Sequence, residues 1–201
     1  MNKFNKAVKR IFDFICSTLG LIILSPILIA IVIKIKTDSD GPVFFKQIRV
    51  GEKKKEFEIL KFRTMVVDAE KLGRQITVGN DSRITKVGGF LRKYKLDELP
   101  QLINVFKGDM SLVGPRPEVP RYVELYNEEQ RKVLEVKPGI TDLASIRYRD
   151  ENELLGEAEN PDELYINTIM PDKLSLNLVY INKNNVFFDI YIILKTIIKC
   201  I

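Results

Sequence analysis

The chain has 201 residues, 45% hydrophobic and 29% charged, long enough for a real core and too apolar for disorder. Its net charge is +5 and it has no histidine, which removes Ser-His, Cys-His and His-based zinc chemistry. Acid–base or nucleophilic work is left to Asp, Glu, Lys, Tyr, Ser or Cys; Cys16 and Cys200 have neither metal-site spacing nor the pattern of a disulfide framework.

The charge is unevenly spread. Residues 1–116 hold 22 basic and 12 acidic side chains, and residues 117–201 hold 10 and 15. A basic N-terminal part suits anionic partners: lipid headgroups, nucleotides or nucleic acid. Aromatic residues are not interleaved with the basic ones as a base-stacking surface requires, which argues against nucleic acid.

Phe14 to Ile33 carries no charge over 20 residues, enough for a helix to cross a bilayer core. Lys3, Lys6, Lys9 and Arg10 precede it, and Lys34 and Lys36 follow it. Basic flanks at both ends place both on the cytoplasmic side. Pro26 inside the run removes one backbone donor and predicts a kink, with the Ser25 hydroxyl available to a freed carbonyl. Two readings fit the residues: a kinked spanning helix, and a helix that breaks at Ser25-Pro26 and returns.

After the turn cluster Asp38–Pro42, Val43–Phe45 and Phe57–Phe62 read as strands of a hairpin. Its basic tip, Lys53–Lys55, reads as a solvated loop that is able to touch anionic headgroups. Val66–Leu72 reads as helix and Gly79–Ser82 as a turn. Ser82 is a candidate cap for a helix near Ile84–Tyr94, in which Gly88-Gly89 permits close packing. Pro100 marks a helix start, with Asp97 near the N-cap and Gly108 as the stop. Asp97 and Glu98, surrounded by Arg83, Arg92, Lys95 and Arg116, suit a site for a metal and phosphates; an acidic cap in a solvated charge run explains the pair equally well. Pro115 and Pro117 stiffen the backbone around Arg116. Pro120–Val136 reads as one amphipathic helix. The acidic stretch Asp150–Glu163 reads as a surface loop or lid. The apolar tail from Val186 is interrupted by Asp189, Lys195 and Lys199, so it packs on the protein or lies in the interface.

Taken together, the motifs resemble the bacterial sugar transferase family, the small monotopic phosphoglycosyl transferases. They are Ser25-Pro26, Gly41–Gln47, Lys61–Met65, Ser82–Thr85, Leu96–Leu102, Gly114–Pro117 and Lys137–Thr141. The resemblance implies a mixed α/β, mostly helical fold in the bacterial inner membrane. A re-entrant helix broken at Ser25-Pro26 would occupy 1–38, and a small cytoplasmic-face catalytic domain with the hairpin and interfacial helices would occupy 39–201. It implies transfer of a sugar 1-phosphate from a UDP-sugar to a polyprenyl (undecaprenyl) phosphate, releasing UMP. Asp97 would be the nucleophile, with Asp97 and Glu98 holding Mg²⁺ and Glu98 also handling protons. Arg63, Arg83, Arg92, Pro115, Arg116, Pro117 and Arg147 would bind substrate.

The expected partners are donor, acceptor and membrane lipid, with no nucleic acid and an oligomer allowed. The chain looks like a minimal member without a fused multi-span region. It departs from the family where many members continue Gly-Leu-x-Gln-Val: here Asp142–Ile146 reads Asp-Leu-Ala-Ser-Ile, which leaves the sugar open. A non-catalytic, membrane-anchored basic module binding anionic lipid or nucleic acid is the alternative.

Overall fold

The computed structural model describes residues 3–69 and 81–200. Helix α1 (Lys3–Asp38) runs through Pro26 as one continuous helix, without the break expected at Ser25-Pro26. The Ser25 hydroxyl donates to Ile22 O at 2.8 Å, the carbonyl that the proline nitrogen cannot serve. By length and composition α1 is able to cross a membrane, and most of its apolar side chains, Ile22, Ile23, Ile29 and Ile33 among them, are exposed.

Both halves of α1 pack on the same body. In the first half Arg10 donates to Val105 O and Phe106 O, Phe14 stacks on Phe106, and Gly20 lies against Leu102. In the second half Ile31 and Ile35 are buried with Phe62 and Leu91, flanked by Leu96 and Leu99.

The hairpin forms, its first strand running well beyond the expected Val43–Phe45, with β1 (Phe44–Val50) antiparallel to β2 (Glu56–Phe62) and Phe44 opposite Phe62. A 3₁₀ turn, Glu52–Lys54, makes its tip. A second sheet has no signature in the sequence pattern: β3 (Ser111–Val113) and β4 (Gly139–Thr141) pair in parallel. Its strands are three residues long, too short to show a period of two.

Other expectations need correction as well. The cap of α2 (Lys86–Lys93) is Thr85, not Ser82; Thr85 Oγ1 accepts the Gly88 N–H at 3.0 Å. Asp97 is not an N-cap. It lies in a separate 3₁₀ turn, Leu96–Glu98, entered through Lys95 in a left-handed conformation, and α3 (Gln101–Lys107) starts after Pro100 with no side-chain cap. Residues 120–136 do not form one helix. After α4 (Pro120–Val123) the chain breaks and resumes as a 3₁₀ segment, Gln130–Glu135. The cause is a reciprocal pair: Gln130 N–H donates to Asn127 Oδ1, and Asn127 N–H to Gln130 Oε1, which starts a new helical turn.

Gly88 and Gly108 behave as expected. A Cβ on Gly88 would sit 2.0 Å from Thr64 O, and Gly108 closes α3 at φ +95°. The expected helix at Val66–Leu72 and turn at Gly79–Ser82 lie partly outside the described residues; the described part of the former, Val66–Ala69, is a turn closed by Ala69 N–H to Val66 O.

The C-terminal half is helical. It comprises α5 (Leu143–Arg147), α6 (Glu151–Gly156), α7 (Pro161–Leu164), α8 (Met170–Lys183) and α9 (Val186–Cys200). The acidic stretch thus forms two short helices rather than a loop. The tail packs on the protein, as its charges require: Ile192 and Asp189 are fully buried, with Asp189 paired to Lys9 and accepting from the Tyr180 hydroxyl.

Candidate active site

Asparagine 104 sets the frame. Its side chain accepts the Leu60 N–H and donates to Glu58 O, so it pairs with β2 as a neighbouring strand would. This fixes α3 against β2, and the turn before α3 then meets the end of the strand. Lys61 Nζ donates to Glu98 Oε1 at 2.9 Å.

Arg116 arrives from the other side. Its guanidinium grips both oxygens of Glu98, with Nη1 to Oε2 at 3.1 Å and Nη2 to Oε1 closer still. The loop that carries Arg116 is held at several points. Gly114 N–H donates to Thr141 O, and Gly139 N–H to Pro115 O. The two backbones approach so closely that a Cβ on Gly139 would lie 2.0 Å from Gly114 N. Asp142, fully buried, accepts the backbone N–H of Arg116 at 3.1 Å and that of Ser145 at 2.6 Å. Arg49 of β1 donates to Pro117 O and to Glu118, and the Tyr165 hydroxyl closes on Glu118 as well.

The two adjacent carboxylates are therefore unlike. Glu98 is saturated. Burial opposes its ionisation, but Arg116 and Lys61 outweigh this and hold it well below the usual carboxylate range. Asp97 has no hydrogen bond or ion pair to its side chain among the described residues. Burial, and then the charge of Glu98, push its pKa up, against the weaker pull of Lys61, Arg92 and Lys95. Burial likewise lowers Lys61, with Glu98 opposing, while Glu98 raises Arg116. The pair thus offers one committed carboxylate and one free, basic carboxylate beside fixed cations.

The structure brings together Asp97, Glu98, Arg116 with its flanking prolines, and Arg92, whose charge reaches Asp97. It places the other arginines elsewhere. Arg63 is buried, its fork occupied by Ser39, Asp40 and Pro42 in the turn after α1. Arg83 bonds to Asp81 and Ala69 O. Arg147 faces Asp172 of α8 and is largely exposed. Lys61, Asn104, Asp142 and Arg49 belong to the framework and are not among the expected site residues. Lys61 and Asp142 lie in stretches the sequence singles out, Lys61–Met65 and Asp142–Ile146; Asn104 and Arg49 sit at positions that read as ordinary helix or strand.

No group of three or more His, Cys, Asp or Glu side chains that could enclose a metal exists among the described residues. Of the two adjacent carboxylates only Asp97 is unengaged, so a Mg²⁺ ion here would need phosphate oxygens and water to complete its shell.

The sequence profile described as bacterial sugar transferase matches residues 4–201. The chain is 40% identical to the UDP-glucose:undecaprenyl-phosphate glucose-1-phosphate transferase of Escherichia coli (strain K12), over 97% of this chain and 40% of that protein. It is 36% identical to the UDP-N-acetylgalactosamine-undecaprenyl-phosphate N-acetylgalactosaminephosphotransferase of Aeromonas hydrophila, over 94% of this chain and 43% of that protein. It thus spans about two fifths of those relatives. It covers 86% of the uncharacterized sugar transferase EpsL of Bacillus subtilis (strain 168), at 38% identity over 96% of its own length. With the profile matched along nearly the whole chain, the protein belongs to the bacterial sugar transferase family.

Proposed function

We propose that this chain transfers a sugar 1-phosphate from a UDP-sugar to a polyprenyl phosphate, giving a polyprenyl-diphospho-sugar and UMP, with Asp97 as nucleophile. The names of the relatives support the reaction class. The observation that carries the residue roles is the division between Glu98, spent on Lys61 and Arg116, and Asp97, unpaired and more basic than an ordinary aspartate.

In the first step an oxygen of the ionised Asp97 attacks the β-phosphorus of the donor. The bond from that phosphorus to the bridging oxygen breaks, and UMP leaves with the electron pair. In the second step an oxygen of the acceptor phosphate attacks the same phosphorus and releases the Asp97 carboxylate. No net proton transfer is required between the ionised forms. Arg116 and Lys61, locked in place by Glu98, supply fixed positive charge where the diphosphate must sit, and such preorganised charge costs no reorganisation during reaction. Glu98 is then above all a positioning residue. Mg²⁺, if bound, would be held by Asp97, the carboxylate of the pair not already engaged, together with the donor phosphates, and would add neutralisation of the departing UMP. A covalent intermediate divides the transfer into two displacements with ping-pong kinetics.

We further infer that α1 enters and leaves the bilayer on one, cytoplasmic, face. Arg10 and Ile35 lie on opposite sides of Pro26 yet both pack against the same body. A helix standing across the bilayer would put these contacts on opposite faces of the membrane. With both ends of α1 held on one body, its polar ends lie at the headgroups of one leaflet and the exposed Leu19, Ile22, Ile23, Ile27 and Ile29 between them face lipid.

The reaction is tested by UMP release from a panel of UDP-sugars with polyprenyl phosphate in detergent. Release that depends on Asp97 and on donor supports the reading. No release from any donor, with lipid or nucleic-acid binding retained, would favour a non-catalytic basic module.

A further inference from the structure

A cleft open to solvent lies at the far end of α3 from Asp97. Lys6 and Arg10 of α1, Glu52 of the hairpin tip, Lys137 and Asn184 line it. Its charges are unequally spent. Lys9, also in the wall, is neutralised by Asp189, and Asp13 accepts the Leu112 N–H. Arg10 and Lys137, by contrast, donate only to the uncharged carbonyls of Val105, Phe106 and Gly108. Lys6 has no ion pair among the described residues, nor have the exposed Lys53, Lys54 and Lys55 at the rim beside Glu52. Three unpaired cations of the wall, Lys6, Arg10 and Lys137, therefore stand against Glu52 and Asp13, and Lys53, Lys54 and Lys55 adjoin Glu52 in the chain. Two cations at the end of α3 also cap its carbonyls, but capping alone requires neither the lysines at the rim nor an open cleft.

Two further observations point to an occupant. Asn184 is 9% exposed, and its Oδ1 is buried without a partner. A buried acceptor of this kind calls for a donor. At the rim, Lys53 and Lys54 are consecutive residues in the left-handed conformation, φ 58° and 62°. Glycine or asparagine would adopt it more readily, so the tip keeps two positive side chains at a backbone cost. Arg10 precedes the uncharged run by four residues, about 6 Å along the helix. With α1 in the bilayer as inferred above, the cleft opens at the depth of the headgroups.

We propose that this cleft binds the headgroup of an anionic phospholipid, its phosphate among Lys6, Arg10 and Lys137, with the lysines that follow Glu52 adding positive charge nearby, and a headgroup hydroxyl on Asn184. The proposal rests on the membrane placement of α1 and not on the transfer reaction. It gives the protein a lipid contact separate from Asp97, and a preference for anionic membrane.

Thermal unfolding of the whole chain in neutral detergent tests it, with short-chain phosphatidylglycerol, phosphatidylcholine and inorganic phosphate as probes. A ligand that binds only the folded state raises Tm in proportion to its occupancy. Phosphatidylglycerol should raise Tm by several degrees in a saturable manner, with little effect from the other two. The double variant Lys53→Asn, Lys54→Gly should have an unchanged or higher Tm without lipid, because its backbone is relieved, and should lose at least half of the lipid-induced shift. Asn184→Asp, which adds a negative charge to the wall, should abolish the shift, and Lys6→Gln, at an exposed position, should weaken it. Equal shifts with phosphatidylcholine would overturn the anionic site, and equal shifts with inorganic phosphate would overturn the lipid as its source. A full shift in both the double variant and Asn184→Asp would overturn the location. None of these readings needs turnover, so they are independent of whether UMP is released.

Discussion

The carboxylate of Asp142 holds the backbone of Arg116 while the side chain of Arg116 holds Glu98. A residue at the start of α5 thereby fixes the cation that stands beside the candidate nucleophile. Asp142→Ala leaves two partly buried N–H groups, of Arg116 and Ser145, without this partner, a cost of about 1–3 kcal/mol in stability. It should also lower kcat/KM by roughly tenfold or more, since about 1.4 kcal/mol of lost positioning is a factor of ten. Asp142→Asn, which keeps an accepting oxygen, should recover part of both. Denaturant unfolding and steady-state kinetics on the pair check this; wild-type kinetics in the alanine variant would remove Asp142 from the framework.

Gly88 and Gly89 should respond in opposite directions to the same change. A Cβ at Gly88 would meet the Thr64 carbonyl at 2.0 Å, whereas at Gly89 the nearest atom, Ile84 Cγ2, is 4.0 Å away. Gly88→Ala should destabilise by about 1–3 kcal/mol through overpacking on backbone. Gly89→Ala should stabilise by roughly 0.5–1 kcal/mol through helix propensity. Melting temperatures of the two variants decide it.

This contrast shows what was legible. Turn chemistry, apolar runs and close-packing glycines reveal themselves one residue at a time, so α1, the hairpin, the Gly108 stop and the tight approach at Gly88 could all be read. Asp97 and Glu98 were visible as a pair. Their division of labour was not, because it is made by Lys61 and Arg116, 37 and 18 residues from Glu98 in sequence. The parallel pairing of β3 and β4 and the strand-like role of Asn104 are likewise long-range. The helix predicted over 120–136 failed for a local reason, since the Asn127–Gln130 pair is a start signal lying inside a continuous amphipathic pattern.

The pH dependence follows from the raised pKa of Asp97. Attack requires the ionised form, so kcat/KM should fall as pH drops through a value above the ordinary aspartate range, near 3.9. Glu98→Gln removes the neighbouring charge that helps raise Asp97, and it frees Lys61, a cation that favours its ionised form. The acid limb should therefore move to lower pH, with kcat strongly reduced because Arg116 and Lys61 lose their anchor. The variant should also lose about 2–3 kcal/mol of stability, from partly buried cations left without their partner. Glu98 itself is depressed in the folded state, so its contribution is complete above its unfolded value near 4.3 and declines as pH falls toward the folded one. An acid limb unmoved by Glu98→Gln would contradict the coupling.

Membrane placement is checked by cysteine labelling. In a background with Cys16→Ser and Cys200→Ser, Asn2→Cys and Asp40→Cys should share one accessibility: both protected in intact cells, both labelled once the cytoplasmic face is exposed. Labelling of one alone in intact cells would mean that α1 spans. Pro26→Ala, by restoring a backbone donor, should favour that spanning state.

The central claim is that Asp97 carries the sugar phosphate covalently, and the most direct measurement is the intact mass of the protein after incubation with a UDP-sugar and no acceptor. The wild type should release UMP and gain the mass of one sugar phosphate, localised to Asp97 by peptide mapping and discharged on addition of polyprenyl phosphate. Asp97→Asn should gain no mass and should lose turnover by several orders of magnitude. UMP release that strictly requires acceptor, with no adduct at any time point, would contradict the claim and leave direct single-step transfer, with Asp97 as a metal ligand or base.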